Sequence, residues 1–141
     1  MAIMYTPNTP ARSENALRRI KDYICDPDKT SRSLIGGIGC PPDLWVNMNK
    51  AVKACHNTKH RKQYRHFVLG FAPSDKIEVQ KAVRVTHKIV EYFNGCYVVY
   101  AVHTNTEHIH SHIIVGNTKY SDGKQYDMRW TDLNYFKAHC S

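Results

Sequence analysis

The stretch His108-Ile109-His110-Ser111-His112-Ile113-Ile114-Val115 alternates imidazoles with mostly apolar side chains. Successive side chains of an extended chain point to opposite faces, so His108, His110 and His112 share one face while Ile109, Ser111, Ile113 and Val115 share the other. The pattern predicts a strand with one imidazole face and one largely apolar face. A preceding strand is expected over Cys96 to His103, joined to it by the short polar turn Thr104 to Glu107. Antiparallel pairing across that turn brings His103 beside the row, where it joins two of the three members around one metal ion. Three neutral imidazoles leave coordination positions open, as in catalytic sites, whereas a closed structural site normally adds a fourth protein ligand.

Upstream of this hairpin, Arg65, Phe67, Leu69 and Phe71 alternate with Tyr64, His66, Val68 and Gly70, which predicts a further strand buried on its Phe face. Asp75 and Glu78 form an expected capping pair for a long helix carrying Ile77, Val79, Ala82, Val83, Thr86, Ile89, Val90 and Phe93, closed by Asn94-Gly95. An earlier helix is expected from an N-cap at Ser13 to about Cys25, with Ala16, Leu17, Ile20 and Ile24 on one side and Asp26-Pro27 ending it. Lys29 to Pro42, with Gly36, Gly37 and Gly39, reads as a flexible loop. Pro42 and Asp43 then open a helix whose Leu44, Met48, Val52 and Cys55 share a face, with Trp45 beside it for packing. Ser121-Asp122-Gly123 turns the chain into a short strand near Lys124 to Met128 and a final helix from about Thr131. Helices and antiparallel strands in this order give an α+β sandwich, an antiparallel sheet with helices packed on it.

The 141 residues are read as one domain, 1–141. With 42% hydrophobic and 23% charged residues, the composition excludes a disordered chain. Twenty Lys and Arg against twelve Asp and Glu leave a net charge of +8, which favours a polyanionic partner such as nucleic acid. The five cysteines are odd in number and contain no C-x-x-C, so they read as reduced thiols of a cytoplasmic protein. No apolar run approaches the roughly 20 residues of a membrane span, and no signal layout opens the chain. His56, His60, His66, His87 and His139 lack the company of the clustered four and read as ordinary surface or core histidines, His66 being the one to watch.

The segment His103-Thr-Asn-Thr-Glu-His-Ile-His-Ser-His-Ile-Ile-Val115 resembles the signature of the HUH endonucleases, whose paired histidines flank one residue, here His110-Ser111-His112. In particular it resembles the relaxase/mobilisation nuclease family, the MobA-like tyrosine relaxases of conjugative plasmids and transposons. Tyr23-Ile-Cys-Asp-Pro-Asp-Lys-Thr30 is similar to the family's tyrosine motif, and His66-Phe-Val-Leu-Gly-Phe-Ala-Pro73 to the strand that leads into its long helix. Relaxases put the tyrosine before the histidines, as here; rolling-circle initiators and single-strand transposases of the same superfamily usually put it after.

The resemblance implies an HUH sandwich of the RRM/ferredoxin-like kind that nicks and religates one DNA strand at an origin of transfer. Tyr23 is then the nucleophile of a 5′-phosphotyrosyl intermediate. His103, His110 and His112 are ligands of a divalent ion, Mg²⁺ or Mn²⁺ by expectation, with Zn²⁺, Ni²⁺ or Co²⁺ compatible with three imidazoles. His108 shares the strand parity and is the rival for a place among them. Where the family usually has Asp, two residues after the first histidine, this chain has Asn105, which Glu107 replaces only in part. That departure keeps a second reading open, a catalytically weakened DNA-binding module. The family's nuclease domain commonly continues beyond this length, so an N-terminal fragment of a longer protein is one expectation for the chain. Relaxosome accessory and coupling proteins are the implied partners.

Phosphate contacts are expected from basic residues around the tyrosine helix, Arg12, Arg18, Arg19, Lys21, Lys29 and Arg32, and from a second group, Lys59, Arg61, Lys62 and Arg65. Tyr64, Tyr120, Tyr126 and Trp130 are candidates for stacking on unpaired bases.

Overall fold

Strand alternation and helical spacing together generate five strands and three helices in the computed structural model, which describes residues 2–13 and 15–126. The elements run β1 (Ala2–Tyr5), α1 (Ala16–Ile24), β2 (Ile35–Ile38), α2 (Trp45–His56), β3 (Tyr64–Phe71), α3 (Val79–Val90), β4 (Val98–His103) and β5 (His110–Gly116). The strands form one antiparallel sheet in the order β1-β3-β5-β4-β2. This is the expected α+β architecture, with helices on both faces of the sheet.

The two faces are made by side-chain parity. Phe67, Leu69, Val98, Tyr100, Val102, Ile113 and Val115 point one way and bury themselves against Ala82, Ile89, Val90 and Phe93 from α3 and the turn after it. Tyr64, Val99, Ala101 and Ile114 point the other way, under Leu17, Ile20 and Ile24 of α1 and Trp45 and Val46 of α2. Each large side chain fully removed from water contributes roughly 1.5–3 kcal/mol. The three central strands are buried on both faces, which explains why β3 is covered on its Tyr64–His66–Val68 side as well as on the Phe side.

Several boundaries depart from the sequence reading. The residue capping α1 is Asn15, and Ser13 instead offers its carbonyl to the Ala16 amide. Glu78, not Asp75, stands at the N-cap of α3 and makes no side-chain cap bond there, and a turn of 3₁₀ helix over Pro73–Asp75 precedes it. The buried residues of α2 are Trp45, Val46, Asn49 and Val52, and Leu44 and Cys55 are exposed. The face is rotated because the Trp45 indole donates to the Tyr97 carbonyl and because Gly116 of β5 lies under Asn49, where a Cβ would overlap the amide. The presumed loop from Lys29 to Pro42 contains β2, an edge strand on β4 whose Ile-Gly-Gly-Ile sequence shows no alternation. A bridge between Thr118 and Gln125 is the part of the expected short strand among the described residues. Residues 127–128 of that strand, Trp130 and the expected final helix lie outside them.

Candidate active site

The β4–β5 hairpin sets the register that gathers the histidines. His103 pairs with His110, and Ala101 with His112, so all three imidazoles rise from the α1 face at the turn end of the hairpin. Their ring centroids are 4.4 to 5.2 Å apart. Their ligand atoms lie within 4.8 Å of one another, and among the described residues they form the group of three or more such side chains able to hold a metal ion. His108 is not among them. Its ring is exposed and it precedes β5, because the turn extends through it before the ladder begins. What His108 contributes is its carbonyl, 3.0 Å from His110 Nδ1.

The donor set fits a divalent ion. His103 Nε2 lies 2.7 Å from the Ile24 carbonyl, and His110 Nδ1 lies against that of His108; a carbonyl only accepts, so each ring donates there and turns its other nitrogen free. His112 Nδ1 meets His66 Nε2 at 2.8 Å. Burial lowers the pKa of His103 and pushes that of His112 down to about 2, with His103, His66, His110 and Lys29 adding like-charge repulsion at His112. Both rings are therefore neutral at physiological pH, the state a ligand needs.

Tyr23 sits one residue before the end of α1, whose Ala16, Leu17, Ile20 and Ile24 are buried on the sheet. That packing leaves Tyr23 half-exposed, its ring 5.8 Å from His112 and 6.5 Å from His103. The segment after it ties the helix to the strand that carries His103. Asp26 takes the Asp28 amide on its carboxylate and the Lys29 and Thr30 amides on its carbonyl. The Thr30 hydroxyl then donates to the Val102 carbonyl at 2.6 Å, and the Thr104 amide donates to Lys29. Lys29 Nζ is held 3.7 Å above the Tyr23 ring. A cleft of about 400 Å³ opens beside the tyrosine, lined among others by Tyr5, Arg19, Tyr23, His66 and His112.

Other expected site residues are distributed around this centre. Arg18, Arg19 and Arg32 are exposed, Arg19 bonding Ser13 and Arg32 paired with Asp43 at 3.4 Å. Asn105 and Glu107 are exposed in the hairpin turn. Lys59, Arg61 and Lys62 precede β3, at the end of the sheet away from the histidines, since His112 pairs with Val68 near the far end of that strand. Arg65 points to the opposite face and bonds the Asn117 side chain and the Tyr126 carbonyl. Tyr64 is buried with its hydroxyl on the Pro10 carbonyl and lines the cleft beside Tyr23, while Tyr120 packs against Tyr97 and Tyr126 meets Phe93 edge-on. His66, the one to watch among the other five histidines, is a buried core histidine in contact with His112. Its shared parity with Tyr64 and Val68 was visible, but the register that sets it next to His112 was not.

The family model for MobA/VirD2-like relaxases, nuclease domain, matches residues 23–141. The group II intron-interrupted relaxase LtrB of Lactococcus lactis subsp. cremoris strain MG1363 is 27% identical over 150 residues, an alignment covering 83% of this chain and 26% of the relative. LtrB of Lactococcus lactis subsp. cremoris matches with the same figures. The chain thus spans about a quarter of the length of these curated relatives. The match runs from the tyrosine at the end of α1 through the whole histidine hairpin, and the chain belongs to the MobA/VirD2-like relaxase family, in its nuclease domain.

Proposed function

We propose that this chain nicks and religates one strand of DNA at an origin of transfer, with Tyr23 as nucleophile. The observation that carries the reading is the Tyr23 ring standing half-exposed beside three gathered imidazoles. The phenolic oxygen attacks the scissile phosphorus as its proton leaves; the P–O3′ bond breaks, yielding a 5′-phosphotyrosyl linkage and a free 3′-hydroxyl. Attack by that hydroxyl on the phosphotyrosine reverses the exchange and rejoins the strand without ATP. His103, His110 and His112 hold a divalent ion, Mg²⁺ or Mn²⁺ in the cell, which supplies positive charge at a non-bridging phosphate oxygen. Lys29 places a second positive charge over the phenol, where negative charge develops during attack. Arg18, Arg19 and Arg32 contact the flanking phosphates, and the single strand passes along the cleft beside Tyr23. The setting is the cytoplasm, with relaxosome accessory and coupling proteins as partners.

The test is Tyr23→Phe, assayed on supercoiled origin plasmid and on an origin oligonucleotide. The variant is expected to bind DNA and metal as the parent does and to form no covalent adduct that survives a denaturing gel. Adduct formation by the variant, or mapping of the parental adduct to Tyr120 or Tyr126, overturns the assignment. Asn105, exposed where the family usually has a carboxylate, favours the second reading of a weakened DNA-binding module. A parent protein that binds the origin strand but never nicks it supports that one.

A further inference from the structure

His66 projects from β3 onto the histidine face and is 6% exposed. Val68 pairs with His112, so His66, two residues along the strand, reaches His112 on the diagonal, with the ring centroids 5.0 Å apart. Its Nε2 lies 2.8 Å from His112 Nδ1, and its own Nδ1 is buried with no hydrogen-bond partner among the described residues. Two neutral imidazoles in this contact share one proton in one of two senses. If His66 donates, the His112 proton sits on Nε2, the nitrogen that must bind the ion, and ligation is blocked. If His112 donates, its Nε2 lone pair is free and His66 keeps its proton on Nδ1. At His103 and His110 backbone carbonyls impose the competent tautomer, since they cannot donate; at His112 the choice rests with another imidazole.

We propose that His66 is a positioning residue of the metal centre, accepting the His112 Nδ1–H on its Nε2 and so turning His112 Nε2 toward the ion. The proposal rests on the reading of His103, His110 and His112 as metal ligands. A buried Nδ1–H without a partner among the described residues opposes folding, and that is what keeping His66 an acceptor entails.

Mn²⁺ titration by calorimetry, with parent protein, His66→Phe and His66→Gln, tests this. Phe retains a ring but no acceptor; Gln retains an oxygen able to accept from His112. The Phe variant is expected to bind Mn²⁺ about 10- to 100-fold more weakly than the parent, and the Gln variant to recover most of that loss. Nitrogen NMR of the parent loaded with Zn²⁺ reads the tautomers without any substitution and serves if the Phe variant does not fold. Protonated Nδ1 on both His66 and His112 is the expected result. Parental affinity in the Phe variant, equal weakening in both variants, or a protonated His66 Nε2 in the loaded protein overturns the role of His66 and leaves the metal centre standing. A parent that binds neither ion overturns both.

Discussion

His110 is the least buried of the three gathered histidines, and its second nitrogen is held by the backbone of its own turn. His110→Ala therefore removes a ligand without opening the core. The variant is expected to lose metal-dependent nicking and to bind Mn²⁺ at least about tenfold more weakly, with an unchanged unfolding midpoint in chelator; unaltered nicking would remove His110 from the site. The buried pair makes a prediction about pH. Burial holds His66 at about 4 and His112 at about 2, below the 6.5 of an exposed histidine. Below about pH 6.5 the unfolded chain takes up protons that the folded chain refuses, so stability is full above that pH and falls as pH drops, by up to about 1.4 kcal/mol per unit for each histidine. The His66 part ends near pH 4 and the His112 part continues lower. Urea midpoints of the metal-free protein at about pH 7 and about pH 5 should show the decline, and His66→Gln should reduce it. Equal midpoints in the parent would contradict the burial argument.

At the scale of elements, the segment from Asp26 to Thr30 decides where α1 stands relative to β4. Pairing with β2 stops at Ala101, and the next carbonyl, that of Val102, takes the Thr30 hydroxyl instead. Thr30→Val keeps the shape and removes the donor, and is expected to cost about 1–3 kcal/mol in denaturant unfolding. It should slow nicking while leaving Mn²⁺ affinity near the parental value, since the histidines keep their own hydrogen bonds. A fall in metal affinity as large as the fall in nicking would show that the segment supports the hairpin and not the tyrosine. The strands differ in how legible they were. β3, β4 and β5 carry alternating or continuous apolar residues, whereas β2, with two glycines among four residues, is a strand only because β4 offers it a ladder. His108 has the parity of His110 and His112, yet the turn keeps it out of the strand.

For the whole molecule, the chain carries a net charge of +8, and two of its basic groups stand toward opposite ends of the sheet. Arg18, Arg19 and Lys29 lie on or beside α1, near the histidines, while Lys59 and Arg61 lie before β3, away from them. Single-stranded origin DNA should bind with a log-log salt slope of about −0.7 per phosphate neutralised. Replacing both Lys59 and Arg61 by Ala should flatten that slope by up to about 1.4 and leave the nicking rate at saturating DNA unchanged. A reduced rate at saturation would place this end of the sheet at the reacting phosphate. Arg65 belongs to neither group, because its guanidinium is engaged by Asn117 and the Tyr126 carbonyl on the opposite face.

The period of two in His108–Val115, the apolar stripe of α1 and the excess of basic residues are local or additive properties, so the sequence alone determined an α+β chain with an imidazole-faced hairpin and favoured a polyanionic partner. The short turn between β4 and β5 made even the neighbourhood of His103 and His110 legible. Tertiary structure decided what depends on contacts between distant segments. The distance from Tyr23 to His112 follows from how α1 crosses the sheet, and the contact of His66 with His112 follows from the β3–β5 register across 46 residues. No local pattern encodes such a register, because pairing is chosen by the burial of both faces of the sheet at once.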